Sequence, residues 1–208
     1  MTRVVLWDVD TQVDFMLPAG KLYVPGAEET RPAMARVVDA ARAAGIVHVA
    51  SADDHELTDP ELSDEPDFET TYPPHCLRGT RGAAKIPETE QIDPLPLGST
   101  PYPPARLRDL VGDRREILLL KKSYSVFVNP SAEPLLALLA PSEVVLFGVA
   151  TDVCNHAAVM GLLGRGLKVA LVEDAARGLS AARVQSCLAE WRERGVRFTT
   201  SDEVVAGW

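Results

Sequence analysis

The chain has 208 residues, 46% of them hydrophobic and 25% charged, and a formal net charge of −9, a composition typical of a globular protein. Its basic residues are scattered, which argues against nucleic-acid binding because neutralising phosphates requires clustered lysine and arginine. No apolar run is long enough to span a membrane, an acid already stands at position 8, and the three cysteines form no disulfide framework, so we expect a cytoplasmic protein without membrane attachment.

Short apolar runs alternate with helical patterns along the chain. The runs predict six strands, at residues 4–9, 46–50, 116–120, 143–149, 167–172 and 196–199. Periodic apolar positions predict helices at residues 27–44, 133–140, 152–164 and 180–194. This alternation indicates one doubly wound α/β domain over residues 1–208, with a mainly parallel six-stranded sheet covered by helices on both faces.

Residues 52–105 interrupt this pattern. The segment is rich in Pro, Gly and acidic residues, shows no clean periodicity, and holds two of the four histidines, His55 and His75. Because long loops in compact domains are usually functional or disordered, we interpret it as an ordered active-site loop rather than a linker.

The predicted topology sorts the polar residues, since α/β sheets bind ligands at the carboxyl ends of their strands. Successive predicted strands are followed by Asp8, Asp10 and Asp14, then Asp53 and His55, then Lys121 and Lys122, and then Cys154. We therefore expect these residues to converge at one edge of the sheet. For Asp8 and Asp14, a structural role in ending the strand or organising the next turn is the simpler hypothesis.

Cys154 stands at a strand-to-helix junction, in the segment Gly-Val-Ala-Thr-Asp-Val-Cys at 148–154. Thr151 and Asp152 are candidate N-cap residues, which places Cys154 in the first helical turn, where free amides and the helix dipole favour a thiolate and can hold an oxyanion. A cysteine in such a helix is usually a packing residue. Its position at the carboxyl edge favours a nucleophile instead, with Asp10 and Lys121 available as base and cation.

Three segments together resemble the isochorismatase-like cysteine hydrolases, namely D-x-Q-x-D-F at 10–15, K-K-S-Y-S-V-F at 121–127 and G-V-A-T-D-V-C at 148–154. The resemblance implies a triad in which Asp10 acts as general base and then acid, Lys121 as the cation, and Cys154 as the nucleophile that forms a thioester. It also implies a cis peptide before Ala150 and an oxyanion hole made by the amides of Ala150 and Cys154. The motif selects Lys121 over Lys122, whose side chain should face the other way.

Two further segments, D-x-H at 53–55 and Y-P-P-H-C at 72–76, resemble the metal-binding segments of nicotinamidases. The resemblance implies that Asp53, His55 and His75 bind a divalent zinc, manganese or iron ion that orients the pyridine nitrogen of the substrate. The position of the family's third histidine falls on Glu61, an acid that can also ligate a metal. The other acids that we consider for this role are Asp59, Asp64 and Glu65. The alternative hypothesis is a solvated acidic loop in which His55 only caps a turn.

The aromatic residues Phe15, Tyr72 and Tyr124 match positions of the nicotinamidase substrate pocket, where a flat amide gains stacking and apolar burial. The resemblance therefore implies an enzyme that releases ammonia from nicotinamide or a related small aromatic amide, and that forms a homo-oligomer. One alternative is an amidase of the same superfamily that acts on a carbamoyl or ureido compound. Another is a non-catalytic binding protein, which would have no need of the complete triad.

Overall fold

The computed structural model describes residues 3–208, so the first two residues of the expected 1–208 domain lie outside it. Its strands are β1 (Val4–Val9), β2 (Val47–Asp53), β3 (Leu95–Leu97), β4 (Glu116–Lys121), β5 (Glu143–Val149), β6 (Lys168–Arg177) and β7 (Arg197–Thr199). They form one sheet in the order β3-β4-β2-β1-β5-β6-β7, and every pairing is parallel. The predicted α/β class with a parallel sheet is confirmed.

The prediction of six strands was one strand short, because the sheet has seven. The missing strand, β3, lies inside the segment predicted as loop, where Leu95 and Leu97 are buried on either side of the exposed Pro96. Proline cannot donate a hydrogen bond to a ladder and is tolerated at the sheet edge that β3 occupies. Three residues with a central proline form too short a pattern for strand prediction.

The α-helices are α1 (Val13–Met16), α2 (Arg31–Ala43), α3 (Pro104–Val111), α4 (Ala132–Leu139), α5 (Cys154–Gly164), α6 (Ala181–Glu193) and α7 (Ser201–Gly207). The predicted helices correspond to α2, α4, α5 and α6. The helices α1, α3 and α7, which have four, eight and seven residues, were not predicted. Within residues 3–208, no helix has the length and apolar character needed to cross a membrane.

Each face of the sheet has its own apolar core. On one face, α2 contributes Met34, Val37 and Val38 to the cluster that contains Leu6 of β1. On the other face, helices α4 and α5 pack in the cluster that contains Trp7. Leu6 and Trp7 belong to opposite cores because successive side chains of a strand point to opposite faces.

The order of the strands reverses at β1, which has β2 on one side and β5 on the other. The register pairs Val9 with Ser51 and Asp53 with Lys121, so these strands end side by side. A crevice at the carboxyl ends beside such a reversal is the usual ligand site of an open α/β sheet.

Candidate functional site

The three residues of the expected triad meet where β1, β4 and β5 end. Lys121, the last residue of β4, is buried, and its Nζ lies 2.9 Å from Asp10 Oδ2 and 3.7 Å from Cys154 Sγ. The same ammonium donates a hydrogen bond to Asp53 Oδ1. A single buried cation therefore joins two carboxylates and the thiol.

Asp10 directly follows β1 and has a left-handed backbone, with φ of 51°. Its amide donates to the Ser51 carbonyl at 3.2 Å, and the Ser51 hydroxyl donates to Asp10 Oδ1 at 2.6 Å. These contacts leave the other oxygen, Oδ2, for Lys121. Ser51 was missed by sequence reasoning, although a serine inside the buried strand β2 was a visible signal.

Burial raises the pKa of the Cys154 thiol well above its usual value. The charge of Lys121 lowers this pKa, whereas the charges of Asp10 and Asp53 raise it further. Burial also raises the pKa of Asp10, although the charge of Lys121 opposes it. Burial alone would lower the pKa of Lys121, but the charges of Asp10 and Asp53 raise it and keep the ammonium charged. The resting site thus holds a thiol, unlike the thiolate expected at a helix N-terminus, because burial outweighs the favourable charges.

The turn between β5 and α5 presents free amides beside the thiol. The peptide between Val149 and Ala150 is cis, as expected. In the described chain, the amides of Ala150 and Cys154 donate no backbone hydrogen bond, whereas those of Val153 and Asn155 both donate to the Ala150 carbonyl at 3.0 Å. Free N–H groups next to a nucleophile are the donors that stabilise an oxyanion in acyl transfer.

Asp53, His55 and His75 bring three potential metal ligands together, with one ligand atom from each lying within 4.8 Å of the others. Asp53 Oδ2 lies 3.4 Å from Nε2 of His75 and 3.8 Å from Nε2 of His55. His75 Nδ1 donates to the Pro73 carbonyl at 2.8 Å, so in the neutral ring the lone pair stands on Nε2, the nitrogen that faces Asp53. Nε2 of His55 is buried and has no hydrogen-bond partner within residues 3–208.

One carboxylate and two imidazoles form a donor set that suits zinc, manganese or iron. Burial would raise the pKa of Asp53, but the charge of Lys121 and the hydrogen bond and charge of His75 lower it below the usual range. Burial lowers the pKa of His55 and favours its neutral, ligating form. The donor types, the ionised carboxylate and the unpaired His55 nitrogen therefore fit a divalent ion.

Glu61 and Tyr124 are placed differently from the metal ligands and from the aromatic pocket. Glu61 lines a small cavity beside Cys154. It is not a member of the ligand cluster, the group formed by Asp53, His55 and His75. Its Oε2 accepts a hydrogen bond from the Tyr124 amide at 2.9 Å. Tyr124 is 43% exposed and is not among the residues that line the cavity. The ligand role of Glu61 and the substrate role of Tyr124 stay predictions. The alternative acids Asp64 and Glu65 are exposed on the loop.

A small cavity beside Cys154 has aromatic and apolar walls. The ring centroids of Phe15 and Tyr72 lie 5.2 Å and 6.3 Å from that of His75, so both aromatic rings are neighbours of the imidazole. Burial raises the pKa of Tyr72 to about 12, and the phenol is therefore neutral. The remaining apolar lining, which was not predicted, comes from Leu22, Val24, Val153 and Leu179. These residues belong to separate turns that only the folded chain brings together.

Two polar residues near the end of β1 tie the site to its surroundings. Gln12 pairs with the backbone of Asp53, donating to its carbonyl at 2.8 Å and accepting from its amide at 2.7 Å. Asp14 accepts from the Cys76 amide at 2.7 Å and from the Lys21 amide at 3.1 Å. Asp14 thus organises the following turn, as expected, and also anchors the loop that carries His75.

Three further polar residues, Asp8, His48 and His156, do not line the cavity. Asp8 is buried and forms a 2.8 Å ion pair with Lys85. His48 is a buried residue of β2. His156 stacks on Trp191 and accepts a hydrogen bond from its indole nitrogen at 3.2 Å.

Comparison with known proteins places this architecture among relatives. The family model for the isochorismatase domain matches residues 4–203. A nicotinamidase/pyrazinamidase of Mycobacterium tuberculosis is 30% identical over 202 residues, which cover 93% of this chain and 96% of that protein.

Solved structures resemble this chain in fold. A pyrazinamidase of Pyrococcus horikoshii in complex with zinc superposes with a TM-score of 0.75 at 22% identity, covering 95% of this chain and 99% of that one. An N-carbamoylsarcosine amidase from Thermoplasma acidophilum superposes with a TM-score of 0.74 at 22% identity, covering 96% and 97%.

Proposed function

This chain belongs to the isochorismatase family of hydrolases, and on that premise we propose that it is a cysteine-dependent amidase. Its foremost candidate substrate is nicotinamide, which it would convert to nicotinate and ammonia. The observation that carries the proposal is the buried Lys121 ammonium, which contacts both the Asp10 carboxylate and the Cys154 thiol. Base, cation and nucleophile in contact beside an aromatic cavity are the parts that covalent amide hydrolysis requires.

Acylation begins from the resting thiol. Asp10 takes the proton from Cys154, whose sulfur attacks the amide carbonyl of the substrate while Lys121 balances the charge that develops. The carbonyl oxygen, now an oxyanion, accepts hydrogen bonds from the amides of Ala150 and Cys154. The raised pKa of Asp10 makes it a stronger base than an ordinary carboxylate.

The leaving group and the water complete the cycle. Protonated Asp10 gives its proton to the amide nitrogen, the C–N bond breaks, and ammonia leaves behind a thioester on Cys154. Asp10 then accepts a proton from a water molecule that attacks the thioester. The C–S bond then breaks, the carboxylic acid leaves, and Asp10 gives its proton to the Cys154 thiolate, which restores the starting site.

A divalent ion held by Asp53, His55 and His75 would supply a Lewis acid for the ring nitrogen of a heteroaromatic amide. The side chains that line the cavity would provide the remaining preference for a flat aromatic substrate. Phe15 and Tyr72 line the cavity with apolar aromatic surface, and its small size favours small substrates.

A second candidate is the hydrolysis of a small carbamoyl or ureido compound. The observation that favours it is the carboxyl group of Glu61 in the cavity lining, where the nicotinamidase pattern has a histidine. An ionised carboxylate at this position can accept hydrogen bonds from the paired N–H groups of a ureido substrate. The same triad would cleave the C–N bond.

Ammonia release from three compounds distinguishes the two candidates. The metal-loaded enzyme is given nicotinamide, benzamide, which lacks the ring nitrogen, and an N-carbamoyl amino acid, and kcat/KM is measured for each. We expect nicotinamide to be hydrolysed fastest, with benzamide well below it. Preference for the carbamoyl compound would replace the first candidate by the second, and no release from any of them would contradict both. Assembly into a homo-oligomer and a cytoplasmic location stay predictions.

A further inference from the structure

Asp59, which we considered from the sequence as an alternative metal ligand, is not a member of the ligand cluster but contacts the outer side of His55. Its Oδ2 accepts from His55 Nδ1 at 3.2 Å, on the side of the imidazole away from Asp53. The same oxygen accepts from Lys122 Nζ at 2.9 Å and from the Glu56 amide at 2.9 Å. A half-buried lysine therefore holds the carboxylate that contacts a metal-site histidine.

The contact with Asp59 determines the state of the His55 ring. An ionised carboxylate only accepts hydrogen bonds, so the proton of the neutral imidazole stands on Nδ1 and the lone pair on Nε2. That lone pair faces Asp53 Oδ2 at 3.8 Å, and Nε2 has no hydrogen-bond partner in the described residues. The ring is thus turned and protonated in the form that a metal ion needs.

The two histidines of the site are held by different acceptors. His75 donates to the carbonyl of Pro73, which belongs to the backbone and is neutral. His55 donates to a side chain that carries charge, and this side chain is in turn held by a residue of the segment after β4. Of these two hydrogen bonds, only the one made by His55 can therefore be removed by replacing the side chain of its acceptor.

We propose that Asp59 and Lys122 are positioning residues for the metal site, Asp59 by orienting His55 and Lys122 by holding Asp59 in place. This inference rests on the proposed metal site of Asp53, His55 and His75. Carboxylates that hold ligating histidines fix the tautomer and raise ligand basicity, and their loss typically costs about 10- to 100-fold in metal affinity.

The test is the zinc affinity of the metal-free full-length protein, measured by competition with a chromophoric chelator. Asp59→Ala should weaken zinc binding by about 10- to 100-fold. Asp59→Asn keeps an oxygen that can accept from Nδ1–H and should restore part of the affinity. Lys122→Met, which leaves the loop turn untouched, should give the smallest loss. The control is Asp64→Asn, which removes the same charge from an exposed position on the same loop and should bind zinc like the wild type.

Thermal unfolding of each metal-free variant separates positioning from support of the fold. Because Asp59 also accepts the Glu56 amide, Asp59→Ala can loosen the turn, whereas Asp59→Asn and Lys122→Met keep it. Zinc affinities equal to the wild type in all three variants would overturn the inference, whatever their melting temperatures. If the wild type itself binds no zinc, the proposed metal site is wrong. This result differs from the one that overturns only the positioning role, in which the wild type and all three variants bind zinc equally.

Discussion

The candidate site has two halves that are built differently. The strand-end half consists of Asp10, Lys121 and Cys154, each at or just after the end of a strand of one parallel sheet. The loop half consists mainly of His55 and His75, which lie in the excursion between β2 and β3. The first half is positioned by the backbone ladder of the sheet, and the second by individual side-chain contacts such as those of Asp14 and Asp59.

This difference assigns separate tasks to the two halves. The strand-end half contains all the groups that make and break bonds in the proposed reaction. In the same proposal, the loop half selects the substrate and holds the metal. Lys121 joins them, because its ammonium contacts both Asp10 and Asp53. A substitution in the strand-end half should therefore change amide hydrolysis but not zinc affinity, and substitutions of Lys121 should change both.

The largest effect should come from the nucleophile. Cys154→Ser is expected to lower kcat/KM for amide hydrolysis by about 10⁴-fold or more, since removal of the nucleophile abolishes the covalent route. Zinc affinity should remain that of the wild type, because the sulfur is not a member of the ligand cluster. Kinetics and zinc titration on the same preparation check both expectations, and substantial remaining activity would show that Cys154 is not the nucleophile.

Lys121→Met should damage both halves together. Asp10 and Asp53 would lose their shared buried counter-ion, and removing one partner of a buried ion pair typically costs about 3–5 kcal/mol. Urea denaturation of the metal-free protein measures the free energy of unfolding.

The matched control for this variant is Lys122→Met at the neighbouring position. Its ion pair with Asp59 is partly exposed, at 29% and 15% of the two side chains, and such pairs contribute about 1 kcal/mol or less. Equal destabilisation by the two variants would contradict the central place of Lys121.

Ser51→Ala should change the strand-end half only, and in a pH-dependent way. The Ser51 hydroxyl donates to ionised Asp10 and lowers its pKa, so its removal raises that pKa further. Asp10 would then be protonated up to a higher pH, and the acid limb of kcat/KM should move to higher pH. A hydrogen bond to a charged group contributes about 1.5–3 kcal/mol, which corresponds to roughly one to two pH units.

Ser51→Thr keeps the hydroxyl and should return the limb to its wild-type position. Metal content is measured at each pH so that loss of metal is not mistaken for protonation of the base. An unmoved limb in Ser51→Ala would show that Asp10 does not control it.

The smallest effect is expected in the loop half. A Cβ at Gly82 would overlap the Asp14 carboxylate, which accepts the Cys76 amide next to His75. Gly82→Ala should therefore cost about 1–3 kcal/mol of stability and weaken zinc binding. Gly98→Ala is the control, since nothing lies within 4 Å of its added carbon. Identical stability and zinc affinity in the two variants would contradict the anchoring role of Asp14.

The strand-end half could be predicted from the sequence because its residues follow apolar strands. Strands β1, β4 and β5 are recognisable from their composition, and parallel topology brings their ends to one edge. The preference for Lys121 over Lys122 followed from alternation and the family motif, and the structure points Lys121 into the site. The protonated state of Cys154 could not be predicted in this way, because it depends on burial by groups distant in the chain.

The loop half was predictable only where a motif marked it. D-x-H and P-P-H-C indicated the residues that form the ligand cluster, but the role of Asp59 depends on a contact with Lys122, 63 residues away in the chain. The exposure of Tyr124 and the apolar lining of the cavity likewise depend on how separate turns meet. Such contacts have no periodicity, and a single sequence does not encode them in a recognisable pattern.

The most direct test of the account is ammonia release from nicotinamide by the purified protein, measured as isolated, after chelation, and after reloading with zinc, manganese or iron. Cys154→Ser is assayed beside it in the metal-loaded state. We expect turnover that chelation removes, that one of the metals restores, and that the variant lacks. No turnover by the metal-loaded wild type, or equal turnover by Cys154→Ser, would contradict it.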